Sequence, residues 1–438
     1  MFFTLLLFWF PIFVEGVEFH KVTFRGGGTF LDIVVEKSES NPQSLLLDTG
    51  SKHTYLYNHK HLALARRLRF GDLKGVAPKG YRLSGISPMS VVAADEDVLH
   101  FADCNGVKLE KWTRKQFTLG SISWFQRFAV ARLSIQQRQY HNPQFTGLIG
   151  ASPRSRFTIR FPTFGFVARD TDKEVPYSEF FLSSSIEPKW CVNEYVGYTP
   201  LVDKDYWLFK GGLRFGETIV VKKFKFLVDS GSGVISVPEP YFSPIKRSLE
   251  SHGVVWEKNA TFGSVECTKV PSLPPIHIGA ETGFTISILP AFYSSQLSSG
   301  ACRIYIDEKK INREWMTFGE ALIRFLVTEF DKKNNRIGFC EPAKRDLVGT
   351  PLVRPAGADG GDKFSRTTTV IYKPGKGDSA DYKIEEPPRI PQIAPPTSNG
   401  DDDEEEEDKI DQDELDKSVA ATSTPLCIVA AVLTMLMF

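Results

Sequence analysis

The hydrophobic and polar positions of the chain predict mainly strands, and a helix in one segment. Val17 to Val35 alternates between apolar and polar residues and predicts paired strands, and Phe117 to Val130 predicts further strands. Leu208 to Gly212 ends in two glycines and predicts a turn. Pro240 to Glu250 has amphipathic helical spacing, with Ser243 as its predicted N-cap.

Two short apolar runs stand out because each ends at an aspartate in the same local pattern. Leu45 to Leu47 leads into Asp48, and Phe226 to Val228 leads into Asp229. In both copies the acid is followed by a hydroxyl residue, a glycine and a serine. The two copies are separated by about one domain's length. This repetition predicts two similar half-chains, each of which contributes one acid.

The residues around each acid suit a carboxyl group with a tuned pKa. A glycine permits a tight turn that a residue with a Cβ would resist, and the adjacent hydroxyls can hydrogen-bond a buried carboxylate. One copy alone is ordinary turn chemistry. Two copies predict a two-lobed enzyme in which Asp48 and Asp229 meet at the interface.

The paired motifs resemble those of the pepsin-like aspartic proteases, from about Phe24 to Phe339. The resemblance implies a mostly β, bilobal fold with the active-site cleft between two related lobes. It implies that Asp48 and Asp229 share one proton and activate a water between them, without a metal or other cofactor. The supporting loop residues would be Thr49, Gly50, Ser51, Ser230, Gly231 and Ser232. Thr49 and Ser230 would brace the loops, while Ser51 and Ser232 would donate to the carboxylates.

Further landmarks follow in the order that the family shows. Phe145 to Gly150 and its counterpart Trp315 to Glu320 correspond to the segments that cross behind the catalytic loops. Gly150 is expected where the backbone passes close to the turn bearing Asp48. Ala321 to Phe339 corresponds to the closing helix and hairpin of the family.

The flap of the family, a hairpin that closes over the substrate, can be aligned in several ways. The best alignment places Phe101 where the family has a tyrosine, and Tyr55 where it has a tryptophan. Packing of Phe101 on Tyr55 would support such a flap. The alternative is an unrelated surface hairpin.

The resemblance also implies two disulfides in the second lobe. Cys267 and Cys302 bracket strands that a disulfide encloses in the family, and Cys191 pairs with Cys340 at the ends of the lobe. Cys104 is then left over, so other pairings stay open. Asn259 lies in an acceptor pattern for N-glycosylation. His53, His59 and His61 lack a completed zinc spacing, and no metal site is predicted.

The two ends of the chain differ in character from its body. Met1 to Val14 is apolar and predicts a signal peptide, with an uncleaved signal anchor as the alternative. The short distance from there to the first strands predicts no inhibitory prosegment. Residues 351–425 carry 9 Lys/Arg and 18 Asp/Glu, and the rest of this neutral chain is mildly basic, without a nucleic-acid footprint. The C-terminal tail resembles a GPI-attachment signal, with a tail anchor as the alternative.

These features predict five segments in the 438-residue chain. They are a signal peptide (1–16), an N-terminal β lobe (17–188), a C-terminal β lobe (189–345), a disordered Pro-rich and acidic stalk (346–424) and a hydrophobic tail (425–438). The predicted protein is a monomeric aspartic endopeptidase of the secretory pathway, tethered to a membrane and acting on polypeptides. The competing hypothesis is an inactive surface protein that holds a peptide or partner in the cleft.

Overall fold

The structure is a computed structural model with a mostly β architecture. It describes residues 17–25, 28–36, 42–57, 98–100, 106–132, 146–169, 177–257, 262–297, 299–309, 314–343 and 352–355. No helix among these residues is long and apolar enough to span a bilayer.

The first half of the chain forms ten strands among its described residues. They are β1 (Phe19–Arg25), β2 (Gly28–Val35), β3 (Gln43–Asp48), β4 (Tyr55–Tyr57), β5 (Val98–His100), β6 (Gly106–Leu119), β7 (Ile122–Arg132), β8 (Gly147–Gly150), β9 (Thr163–Arg169) and β10 (Tyr177–Leu182). The helix α1 (Arg156–Arg160) follows β8, and its N-cap Ser155 accepts a hydrogen bond from the backbone N–H of Thr158.

The second half contributes the remaining strands. They are β11 (Gly197–Pro200), β12 (Leu208–Phe215), β13 (Thr218–Val228), β14 (Ile235–Val237), β15 (Gly263–Glu266), β16 (Ile276–Ala280), β17 (Phe284–Ile288), β18 (Ser294–Gln296), β19 (Ala301–Ile304), β20 (Ile306–Glu308), β21 (Met316–Phe318), β22 (Val327–Asp331), β23 (Arg336–Cys340) and β24 (Val353–Pro355). Its α-helices are α2 (Phe242–Ser251) and α3 (Glu320–Ile323), and short 3-10 helices lie at Pro188–Trp190, Val192–Glu194, Cys267–Ser272 and Pro290–Phe292.

The two halves repeat one arrangement of four strands around the acid-bearing strand. In the first half β3 pairs in parallel with β8, which pairs antiparallel with β4, and β4 pairs in parallel with β7. In the second half β13, β21, β14 and β20 follow the same sequence of parallel, antiparallel and parallel pairings. The predicted internal duplication therefore exists in the sheet topology and not only in the motifs.

An antiparallel sheet joins the halves. It is one end of a 13-stranded sheet, and its strand order is β11-β23-β22-β9-β10-β1, so three strands come from each half. On this sheet the ring of Phe164 stacks on that of Phe330, with centroids 5.2 Å apart, and meets the buried Trp207 edge-on. Burying each of these aromatic side chains stabilises the fold by roughly 1.5–3 kcal/mol, so the halves share one core at their junction.

The predicted turn at Leu208 to Gly212 is wrong, because these residues lie in strand β12. A Cβ on Gly211 would lie 2.4 Å from the carbonyl oxygen of Gly279 on the neighbouring β16. Gly211 therefore allows two strands to approach closely, and does not mark a turn. The glycines do mark a constraint on the backbone, but the constraint comes from a neighbouring strand and not from a turn.

The predicted start of the amphipathic helix also needs correction. Helix α2 begins at Phe242, and Tyr241 occupies the N-cap without a side-chain cap. The Ser243 hydroxyl donates instead to the Glu239 carboxylate at 2.5 Å. The face that α2 buries carries Phe242, Ile245 and Leu249, so the predicted apolar face was right while the cap was not.

The predicted boundary at residue 345 places the end of the folded region too early. Strand β24 pairs with the edge strand β17, and Leu352 is fully buried. The backbone N–H of Leu352 donates to Glu341, and its carbonyl accepts from the N–H of Ser287. Residues 352–355 therefore belong to the folded domain, so the stalk does not begin at residue 346.

Candidate active site

Asp48 and Asp229 stand on equivalent turns at the ends of β3 and β13. The Gly50 N–H donates to Asp48 Oδ1 at 2.8 Å, and the Gly231 N–H donates to Asp229 Oδ1 at 2.9 Å. Each carboxyl group thus accepts a hydrogen bond from the glycine two residues further along its own turn. These bonds fix both side chains in the same orientation relative to their strands.

The two turns also contact each other through their glycines. A Cβ on Gly50 would lie 2.7 Å from the Asp229 Cγ, and a Cβ on Gly231 would lie 2.6 Å from the Asp48 Cγ. Each carboxyl therefore rests against the backbone of the opposite turn, in space that only glycine leaves open. The carboxyls of Asp48 and Asp229 come within hydrogen-bonding reach of each other as a result.

Thr49 and Ser230 hold the turns together beneath the acids. The Thr49 N–H donates to Ser230 Oγ at 3.0 Å, and the Ser230 N–H donates to Thr49 Oγ1 at 2.9 Å. Thr49 and Ser230 are both fully buried. The bracing that the resemblance implied for these residues is thus present as a pair of reciprocal bonds.

A chain of hydrogen bonds through Trp207 forms a second link between the acid-bearing strands. The Ala151 N–H donates to the Asp48 carbonyl oxygen at 2.7 Å, and the Trp207 indole N–H donates to the Ala151 carbonyl oxygen at 2.8 Å. The Val228 N–H in turn donates to the Trp207 carbonyl oxygen at 3.1 Å. Sequence reasoning missed Trp207, because nothing local to it indicates a contact across the halves.

The electrostatics of the two acids are coupled. Burial and the charge of Asp229 together raise the pKa of Asp48 well above its ordinary value. Burial also raises the pKa of Asp229, against hydrogen bonds from Asp48 and the Gly231 N–H and against the positive charge of Lys309. Two carboxyls this close cannot both ionise easily, so the pair retains one proton.

Lys309 is a second residue that sequence reasoning missed. It stands in the charged run Asp307 to Lys310, which is typical of a solvated surface. In the structure only 8% of Lys309 is exposed, and its charge acts on Asp229. Only the folded chain brings it beside the acid.

The comparisons with known proteins agree with this geometry. Residues 160–342 match the model of the family described as eukaryotic aspartyl protease. Cathepsin D of Clupea harengus is 24% identical over 186 residues, which cover 40% of this chain and 45% of that protein. Renin of Rattus norvegicus is 32% identical over 120 residues, which cover 26% of this chain and 28% of that protein. Residues 160–342 of this chain are therefore similar to a pepsin-like aspartyl protease domain.

The match covers less than half of the length of either relative. The region matched by the aspartyl protease model contains Asp229 and begins after Asp48. The part of the chain before residue 160 is related to the matched region by the repeated sheet topology and by its own Asp-Thr-Gly-Ser turn.

The two serines of the protease motifs behave differently. The Ser51 hydroxyl donates to Asp48 Oδ2 at 2.5 Å. The Ser232 hydroxyl donates to the Val234 carbonyl oxygen at 3.1 Å, which corrects the expectation that it donates to Asp229. The Val234 N–H points back at Ser232 Oγ at 3.5 Å, so a local turn competes for this hydroxyl.

Other predicted residues lie outside the acid pair or outside the described residues. Tyr55 is buried on β4, with its ring 5.3 Å from that of Tyr57. Phe101, its predicted flap partner, and Asn259, the predicted glycosylation site, lie outside the described residues. Disulfides join Cys191 to Cys340 and Cys267 to Cys302, which are the pairs that the resemblance implied.

Proposed function

We propose that this chain is an aspartic endopeptidase that hydrolyses peptide bonds with a water activated between Asp48 and Asp229. One observation supports the proposal above all others. The two carboxyls come together from separate halves of the chain, and each rests against the glycine of the opposite turn. Burying two acids side by side costs stability, so their retention fits a chemical role.

The protonation states of the pair fit acid–base catalysis. Burial raises the pKa of both carboxyls, so one acid would hold the shared proton while the other is ionised. The ionised acid would take a proton from the water as the water oxygen adds to the scissile carbonyl carbon, and the protonated acid would donate to the developing oxyanion. When the tetrahedral intermediate collapses, the carbon–nitrogen bond breaks, the acid that took the water proton passes it to the leaving amine, and the other acid takes back a proton from the geminal diol.

The remaining features of the predicted protein belong to the same proposal. The substrate would be a polypeptide in the cleft, the protein a monomer, and no nucleic acid would be bound. Residues 1–16 would direct the chain into the secretory pathway, and residues 425–438 would tether it to a membrane at the end of the acidic stalk. Disulfides are permissible in that compartment, in agreement with Cys191–Cys340 and Cys267–Cys302.

The test is peptide cleavage by the full chain, measured from acid to neutral pH on a mixed peptide library. Asp48→Ala and Asp229→Ala should each abolish cleavage, and a statine-type inhibitor should block the wild type. Asp32→Ala is the matched control, because Asp32 is exposed on β2 and its register partner on β3 is Ser44, four residues before Asp48. Its cleavage should equal that of the wild type.

Two other outcomes would decide against the proposal. Cleavage that survives alanine at either acid would show that the pair is not the catalytic centre. A folded wild-type protein that retains library peptides without cutting them at any pH would support the alternative, a binding protein that holds a peptide in the cleft.

A further inference from the structure

Lys309 is a buried cation that has no role in the catalytic steps described above. Lysine is almost never fully buried unless its charge is paired, since removing an ammonium from water is costly. Lys309 follows strand β20, and its backbone N–H donates to the Val237 carbonyl oxygen at 2.9 Å. This bond extends the pairing of β20 with β14, and the Lys309 side chain is buried there.

The ammonium group is held by two neighbours on the segment that leads to α3. Lys309 Nζ donates to Thr317 Oγ1 at 2.7 Å, and it lies 4.8 Å from the centre of the Trp315 ring. The hydrogen bond fixes the position of the charge, and the aromatic face favours a cation. Lys309 is therefore placed by specific contacts and is not merely enclosed.

Those contacts put the charge next to the strand that carries Asp229. Thr317 lies on β21, where it is the register partner of Leu227 on β13. The next residue, Phe318, accepts a hydrogen bond from the Asp229 N–H at 2.9 Å. The acidic groups that act on Lys309 are Asp229, from the β13 turn, and Asp307, from β20.

The two acids of the pair thus receive different support. Asp48 accepts a hydrogen bond from the Ser51 hydroxyl, whereas the corresponding Ser232 hydroxyl is turned to Val234. The Lys309 charge acts on Asp229, whereas the largest influences on Asp48 are its own burial and the charge of Asp229. The symmetry of the turns is broken by this cation.

We propose that Lys309 is a positioning residue that keeps Asp229 the ionised member of the pair, so that Asp48 holds the shared proton. The inference rests on the proposed peptidase function and refines it, because it assigns the base to Asp229 and the acid to Asp48. Burial lowers the pKa of Lys309 to about 8 against the charges of Asp229 and Asp307, so the side chain is cationic at acid and neutral pH.

The sign of the effect follows from the charge. A cation stabilises the ionised form of an acid and so lowers its pKa, by about one to three units at close range. Lys309→Met keeps the length of the side chain and removes the charge. Both limbs of the pH profile of kcat/KM should then move to higher pH, by about one unit.

Two controls separate charge from structure in this experiment. Lys309→Arg retains a cation and should restore the wild-type limbs. Lys222→Met removes one positive charge from an exposed site on β13, the same strand that leads to Asp229, and should leave the limbs in place. The proposal is overturned if Lys309→Met changes the rate without moving either limb, or if Lys222→Met moves the limbs equally.

A second measurement does not depend on cleavage. The melting temperatures of wild type, Lys309→Met, Asp229→Asn and the double variant at pH 6 form a cycle that reports the coupling of the two charges. Removing Lys309 should lower the melting temperature more when Asp229 is present than when it is Asn. Additive shifts would overturn the proposal even if the wild type cleaves peptides. Coupling without any cleavage would instead show that the charge pair exists and that the proposed function fails.

If Lys309→Met does not fold, a variant that keeps the charge still tests the proposal. Thr317→Val removes the hydroxyl that accepts from Lys309 Nζ and leaves the ammonium in place. Its limbs should move in the same direction as those of Lys309→Met, but by a smaller amount. Unshifted limbs in a folded Thr317→Val protein would contradict the positioning role.

Discussion

Thr49 and Ser230 exchange hydrogen bonds across the two halves of the molecule, each N–H donating to the hydroxyl oxygen of the other residue. Each hydroxyl then donates to the strand opposite, Thr49 Oγ1 to the Val228 carbonyl oxygen and Ser230 Oγ to the Leu47 carbonyl oxygen. Both hydroxyls are thus donor and acceptor at once, in a site without solvent. The acids stand one residue before this junction, so its geometry sets their separation.

Thr49→Val should destabilise the protein without altering its shape. Valine has the same volume but cannot accept from the buried Ser230 N–H or donate to Val228, and an unpaired buried donor costs about 1–3 kcal/mol. Urea unfolding monitored by tryptophan fluorescence measures the loss. Thr282→Val is the control, because the exposed Thr282 makes a similar hydroxyl-to-carbonyl bond to Tyr198 that water can replace. Equal losses in the two variants would contradict the prediction.

Gly231→Ala should impair catalysis much more than folding. The new Cβ would lie 2.6 Å from the Asp48 Cγ, so the carboxyl must move. A misplacement of about 1 Å can cost roughly 100-fold in rate, and peptide cleavage by the folded variant measures this cost. Gly50→Ala should have the same effect, because its new Cβ would displace the Asp229 carboxyl. Gly197→Ala is the control, because its Cβ would instead press on the Phe284 ring. If its cleavage falls equally, a general packing defect explains the loss.

The sequence was most informative where a local pattern had a local cause. The apolar run before each acid, the glycine of each turn and the closing hairpin of β22 and β23 all follow from strand and turn chemistry that is contiguous in the chain. Gly150 is a similar case, since a Cβ there would lie 2.5 Å from the His53 carbonyl oxygen, just after the Asp48 turn. Such features could be predicted because one short segment contains their cause.

Most of the features that the sequence did not predict depend on residues that are distant in the chain. Gly211 is required by a strand more than sixty residues away in the chain, at Gly279, and Lys309 is buried against a residue of another strand. The Ser232 hydroxyl donates to the Val234 carbonyl oxygen, and the motif alone could not distinguish this acceptor from Asp229. The end of the folded region was misplaced because residues 352–355 are too few to give a periodic pattern. The misses at Gly211, at Lys309 and at the end of the folded region depended on which distant segment came close, whereas the miss at Ser232 had a local cause.

Glu320→Gln should remove part of the pH dependence of stability. Burial raises the pKa of Glu320 from 4.5 to about 7, although Arg324 opposes the shift through a hydrogen bond of 3.2 Å. Between these values the unfolded chain releases the proton and the folded chain keeps it, so wild-type stability falls as pH rises through this window. The full effect is about 3 kcal/mol.

The difference in unfolding free energy between wild type and Glu320→Gln isolates this group from the catalytic pair. The stability of Glu320→Gln relative to wild type should rise from pH 4.5 to about 7 and stay constant above that. Glu250→Gln, at an exposed position of α2, controls for the loss of a surface carboxyl. A difference that is independent of pH would show that Glu320 ionises normally in the folded protein.

The two disulfides should stabilise the domain unequally, because they close loops of different length. Cys191 and Cys340 are 149 residues apart in the chain, and Cys267 and Cys302 are 35 apart. In the chain-entropy model, closing the longer loop contributes about 5 kcal/mol and closing the shorter about 4 kcal/mol. Alanine at both cysteines of each pair, followed by urea unfolding, measures the two losses.

The stability lost with apolar contacts must be separated from the stability lost with the crosslink before the two disulfides are compared. Cys191 and Cys340 are both buried, in a cluster with Trp190 and Phe181, so alanine there also removes apolar contacts. Fully reduced wild-type protein keeps every sulfur atom and loses only the crosslinks. Its loss of unfolding free energy should be close to the sum of the losses in the two alanine variants, once the part due to lost apolar contacts is subtracted. If the Cys267–Cys302 pair costs more than the Cys191–Cys340 pair, loop entropy does not rank these bonds. Contacts of the native state around the shorter loop would then decide the stability of the second half.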